Sequence, residues 1–89
     1  MAKLLVVDDE PSVRHIFSRT FEKSDVELLT ASSGQEGVEL LTEQQPDAVI
    51  LDVMLPDKSG LEVLKDIQAA DSTVPVIFIT ASPEMPIPR

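Results

Sequence analysis

An α/β domain built on a parallel sheet, with helices on both faces, is the fold class that three observations predict. Four short apolar runs, at residues 4–7, 26–29, 48–51 and 74–79, punctuate the 89-residue chain. Three of them are nearly continuous in Val, Ile and Leu, the pattern of strands buried on both faces of a parallel sheet. Between successive runs lies a segment with helical apolar spacing. The order therefore reads strand, helix, strand, helix, strand, helix, strand, and crossovers of that kind are right-handed in nearly all cases.

Each element has its own signal. Residues 4–7 form the first strand. The first helix, over residues 11–23, opens on Pro11, which suits a first helical turn, and sets Val13, Ile16, Phe17 and Phe21 on one stripe. The second run, taken on to Ala31, is mixed with Glu27 and Thr30, so it belongs at a sheet edge. Ser33 and Glu36 have the spacing of a capping box and start the second helix, which buries Val38 and Leu41. The third run is wholly apolar. Ser59 and Glu62 repeat the cap signature around the third stripe, Leu61, Leu64 and Ile67. After the last strand, Pro83, Pro86 and Pro88 exclude a regular helix. The chain thus divides into a domain over residues 1–81 and a proline-rich tail over residues 82–89.

Composition narrows the function. A chain of this length has room for one core and none for a separate catalytic or DNA-binding module. Seven Lys+Arg against sixteen Asp+Glu give a net charge of −9, the opposite of a nucleic-acid footprint and poorly suited to anionic membranes. The 43% hydrophobic content assigns this acidity to a folded surface rather than to a disordered tail. Absence of cysteine excludes disulfides and thiolate metal sites and suits a reducing cytoplasm. No apolar run is long enough to span a bilayer, and no signal peptide is visible.

The acids that stand out sit at strand ends. Asp8 and Asp9 follow the first strand, Asp52 follows the third, and Thr80 follows the fourth. In a parallel sheet these positions share the carboxyl edge, where open α/β folds place their ligand site. If the first and third strands are neighbours, Asp8, Asp9 and Asp52 converge and repel one another. A hard divalent cation relieves that repulsion, and Mg²⁺ with its oxygen ligands is the natural choice. The plain alternative for each acid is a loop residue or helix cap. Asp52, directly behind a wholly apolar run, fits that alternative least well, and three acids with a hydroxyl at the ends of three strands exceed what caps require.

Three motifs then fall in order: residues 4–11, Leu-Leu-Val-Val-Asp-Asp-Glu-Pro; residues 51–57, Leu-Asp-Val-Met-Leu-Pro-Asp, with Gly60 shortly after; and residues 75–81, Pro-Val-Ile-Phe-Ile-Thr-Ala. With these the chain resembles the receiver domain of two-component response regulators, from Lys3 to about Ala81. The resemblance implies a flavodoxin-like sheet of strand order 2-1-3-4-5, here 2-1-3-4. It also implies that Asp52 is the phosphoacceptor for the phosphohistidine of a histidine kinase or phosphotransfer protein. Asp9, Asp52 and the backbone carbonyl of Met54 would bind Mg²⁺ directly, and Asp8 through a coordinated water. Thr80 would hydrogen-bond the phosphoryl oxygens, helped by the backbone N–H of Ala81. The resemblance makes the chain a phospho-accepting signalling domain rather than an enzyme acting on other substrates.

Receivers continue through a fourth helix, a fifth strand and a fifth helix, so the resemblance makes this chain an incomplete one. The lysine that ends the family's fifth strand has no counterpart, and Lys58 and Lys65 belong to other segments. One sheet face is expected to be half covered and the last strand open, inviting a second copy of the chain or another polypeptide. Direct nucleic-acid and membrane binding are not expected. The competing reading is an interaction module with weak phosphotransfer, or part of a longer regulator. A Mg²⁺-dependent phosphohydrolase ranks below both, because Met54 stands where such enzymes carry a second Asp. His15, on the exposed side of the first helix, reads as a surface residue, and Pro56 and Gly60 read as loop geometry.

Overall fold

The computed structural model describes residues 2–53 and 55–79. Four strands, β1 (Lys3–Val7), β2 (Glu27–Ala31), β3 (Ala48–Asp52) and β4 (Val76–Ile79), alternate with α1 (Pro11–Phe21), α2 (Gly34–Gln44) and α3 (Gly60–Ala70). All pairings are parallel and the strand order is β2-β1-β3-β4, as the sequence predicts, with the mixed run at an edge. The chain steps from β1 to β2 in one direction, then from β2 over to β3 and β4 in the other. With right-handed crossovers, that reversal puts α1 on one face and α2 with α3 on the opposite face.

The larger core lies under α2 and α3. Leu5, Val7, Ala31, Val49 and Leu51 from the sheet meet Leu41, Val63 and Ile67 from the helices, all buried. Each buried Val, Leu or Ile among them contributes about 1.5–3 kcal/mol by leaving water. Val6 points to the α1 face and is equally buried, so β1 is enclosed on both sides.

Two helix stripes differ from the sequence reading. Leu61 is 65% exposed, because the inward face of α3 is Gly60, Val63 and Ile67, with Leu64 packed at its margin. At 100° per residue, Leu61 falls beyond Leu64 on the same side, farther round from the buried face. On α1, Val13, Phe17 and Phe21 are half-buried while Ile16 is exposed. Among the described residues α1 leans on β2 and buries no residue fully. The last apolar run does not become a fully buried strand either. Ile77 and Phe78, pointing to opposite faces of β4, are 56% and 38% exposed. Among the described residues no strand pairs the outer edge of β4, which accords with the expected open flank.

The caps are more connected than the sequence suggests. Ser33 Oγ accepts the Glu36 N–H at 3.2 Å, but the Glu36 carboxylate reaches back to the Ser32 N–H at 2.7 Å rather than to that of Ser33. The two N–H groups left over, of Gly34 and Gln35, donate to Asp57 Oδ1 and Oδ2 at 2.9 and 3.0 Å. The first three helical N–H groups of α2 are thereby satisfied, two of them from 23 and 22 residues away. These bonds, the one from Gly34 foremost, hold the Asp57 carboxyl below its ordinary value of 3.8. Their contribution to stability is therefore complete above pH 3.8 and is lost as pH falls through the lower folded value.

The exposure difference on α3 is testable by urea unfolding. Ile67→Ala is expected to cost about 2–5 kcal/mol, whereas Leu61→Ala should change stability by less than about 0.5 kcal/mol. Equal losses would restore the stripe read from sequence spacing.

Candidate functional site

The sheet register builds the site. Val7 pairs with Leu51, so the next residues, Asp8 and Asp52, lie side by side at the carboxyl edge. Asp52 is the last residue of β3, in register with Ile79, rather than the first residue beyond it. Asp8 is fully buried and Asp52 is 4% exposed, while Asp9 is exposed. One carboxylate oxygen from each of the three lies within 4.8 Å of the others.

The backbone around Asp8 is held from several sides. Its N–H donates to Ala31 O at 3.0 Å, its carbonyl accepts from Arg14 Nη1 at 2.8 Å, and its Oδ1 accepts the Glu10 N–H at 2.8 Å. Oδ2, however, is buried with no hydrogen-bond donor. Burial pushes the Asp8 carboxyl above its ordinary 3.8, and the charges of Asp52 and Asp9 add to the rise against the pull of the Glu10 N–H. The resulting cost is absent below pH 3.8, grows as pH rises above it, and is complete above the raised folded value.

A buried carboxyl oxygen with no hydrogen-bond donor beside a second buried carboxylate is a conflict that a cation would resolve. The donors are all carboxylate oxygens, which suit Mg²⁺, Ca²⁺ or Mn²⁺ and not a thiolate-seeking metal. The acid set therefore fits a hard divalent ion.

The chain just after Asp52 is pinned as well. Val53 N–H donates to Ile79 O at 3.2 Å, and Gly60 N–H donates to Val53 O at 2.9 Å. A Cβ on Gly60 would stand 2.9 Å from both Asp52 O and Val53 Cα, backbone atoms that cannot swing aside. Gly60 is thus required by this close approach, a stricter role than the loop geometry its sequence position suggests. Met54, Thr80, Ala81 and the tail over residues 82–89 lie outside the described residues. Lys58 is engaged elsewhere: its Nζ is 2.8 Å from Asp66 Oδ2, and that bond raises its pKa.

The comparisons with known proteins agree on one assignment. A family model described as the response regulator receiver domain matches residues 4–88. The chain belongs to this family. Its curated relatives include the alkaline phosphatase synthesis transcriptional regulatory protein PhoP of Bacillus subtilis, 38% identical over 82 residues, covering 92% of this chain and 34% of PhoP. Sporulation initiation phosphotransferase F, from the same organism, is 32% identical over 83 residues, covering 93% of this chain and 67% of the relative. This receiver thus spans about a third of PhoP and two thirds of the phosphotransferase. Among solved structures, the response regulator TrrA of Thermotoga maritima, in complex with Mg²⁺–BeF, is 35% identical with a TM-score of 0.84, covering 93% of this chain and 72% of that one. Chemotaxis protein CheY4 of Vibrio cholerae has a TM-score of 0.83 at 33% identity, covering 94% and 73%. The flavodoxin-like fold expected from the motifs is the fold these structures share. No helix among the described residues is long and apolar enough to cross a membrane.

Sequence reading passed over Arg14 and gave Asp57 no role of its own. Arg14 carries no signal beyond its place one turn into α1, and the Asp57 contact links segments that nothing in the local pattern connects.

Neutralising the buried acid tests the electrostatic account. In metal-free buffer at neutral pH, Asp8→Asn is expected to stabilise the fold by on the order of 1 kcal/mol in urea unfolding, because Asn removes a repelled charge and keeps an acceptor for the Glu10 N–H. A loss of stability would contradict it.

Proposed function

We propose that Asp52 accepts a phosphoryl group from the phosphohistidine of a histidine kinase or phosphotransfer protein. The observation that carries the reading is the buried, donorless oxygen of Asp8 beside the nearly buried Asp52 in a chain of the receiver family. A carboxylate is a weak nucleophile, and catalysis of phosphoryl transfer is mostly positioning and charge stabilisation. An Asp52 oxygen attacks phosphorus, the P–N bond breaks, and the bond's electron pair leaves with the imidazole. Asp9, Asp52 and the Met54 carbonyl would hold Mg²⁺, with Asp8 acting through a bound water. When bound, the ion neutralises charge on the phosphoryl oxygens. Thr80 and the Ala81 N–H would hydrogen-bond the same oxygens. The modified Asp52 would exchange one negative charge for about two, by analogy with hydroxyl phosphates. On this reading the receiver is cytoplasmic and acts through contact with other proteins.

Exposed Ile77 and Phe78 favour a second reading, in which a second copy or another polypeptide covers β4 and phosphotransfer is weak. Incubation with acetyl phosphate and Mg²⁺ followed by intact-mass measurement separates the two. The first reading predicts an adduct of one phosphoryl group that disappears in Asp52→Asn; no adduct over hours would support the second.

A further inference from the structure

We propose that Asp57 is a positioning residue for phosphoryl acceptance at Asp52, fixing the far end of the loop that leaves the phosphoacceptor by accepting the Gly34 and Gln35 N–H groups. This inference rests on the reading of Asp52 given above. The loop is short and is held at its near end, where Val53 bonds Ile79 O and the Gly60 N–H. At its far end Asp57 Oδ1 and Oδ2 take the two α2 amides at 2.9 and 3.0 Å. Between these anchors the chain runs through Leu55, packed against the core, and Pro56, whose ring fixes φ.

Asp57 is not one of the three clustered acids, and both its oxygens accept backbone N–H groups, so it acts through the backbone and not as a ligand of that cluster. Its two bonds are charge-assisted, the stronger kind, and they join the loop to a helix seated on the buried face of β1 and β2. Geometry at Asp52 thereby depends on the N-terminus of α2, whose amides Asp57 accepts. Groups that orient metal and phosphoryl ligands from outside the coordination sphere commonly matter to binding as well as to fold.

A second cap on the same helix supplies the control. Ser33 Oγ bonds the Glu36 N–H within its own segment and is not part of the loop. Asp57→Ala and Ser33→Ala each remove a cap from α2, and each should lower the urea midpoint. Only Asp57→Ala should also weaken Mg²⁺ binding, read from amide shifts during titration with Mg²⁺ alone, by about ten-fold. It should likewise slow phosphorylation by acetyl phosphate at saturating Mg²⁺. Asp57→Asn, which keeps one acceptor, should fall between, and carries the test if Asp57→Ala does not fold. Wild-type Mg²⁺ affinity and rate in a folded Asp57 variant, or an equal loss in Ser33→Ala, would overturn the proposal while leaving the role of Asp52 standing. A wild-type chain that takes neither Mg²⁺ nor phosphoryl group would overturn the reading of Asp52 itself.

Discussion

Two carboxylates buried side by side at the end of a sheet are the constraint around which this receiver is arranged. The register Val7 to Leu51 delivers Asp8 and Asp52 to the same edge, and parallel pairing leaves neither strand free to shift. Slipping β3 by one residue would separate the acids, but it would also turn Val49 and Leu51 from the core to the α1 face. Hydrophobic packing therefore enforces a juxtaposition that electrostatics opposes. Asp9, exposed at the rim, adds to the opposition and opens the cluster to solvent.

The surroundings limit how the repulsion can be relieved. Arg14 holds the Asp8 carbonyl, and the Glu10 N–H holds its Oδ1, so the Asp8 carboxyl cannot rotate away without breaking the Glu10 bond. Gly60 brings the first turn of α3 against the Asp52 carbonyl, and Asp57 ties the next stretch of chain to α2. Lys58, the lysine nearest Asp52 in sequence, is already paired with Asp66. Among the described residues the acids are left with a repulsion that a hard divalent cation would relieve.

Most of the fold was legible because its signals are local. Val-Ile-Leu runs, two Ser-x-x-Glu caps and Pro11 mark elements over a few residues each, and the handedness of crossovers then limits the topology. The acids were legible because three of them sit at strand ends that a parallel sheet brings to one edge. Failures began where position depends on distant packing. Leu61 and Ile16 have helical spacing yet lie at the margins of their faces, and only the placement of neighbouring elements decides which margin is covered. Asp57 was invisible as a clamp because its partners are 23 and 22 residues away, and nothing in an isolated loop carboxylate names the helix it caps. Gly60 was noticed, but the backbone it must clear could be seen only with β3 and α3 in place.

The most direct test of the central claim is the dependence of stability on Mg²⁺. Urea unfolding of the wild-type chain should be followed from metal-free buffer to saturating Mg²⁺, with ionic strength held constant by NaCl. If the buried carboxylates are a conflict that a cation resolves, unfolding free energy should rise by about 1.4 kcal/mol for each ten-fold increase in Mg²⁺ beyond the Kd. Superimposable curves at every Mg²⁺ concentration would contradict the account.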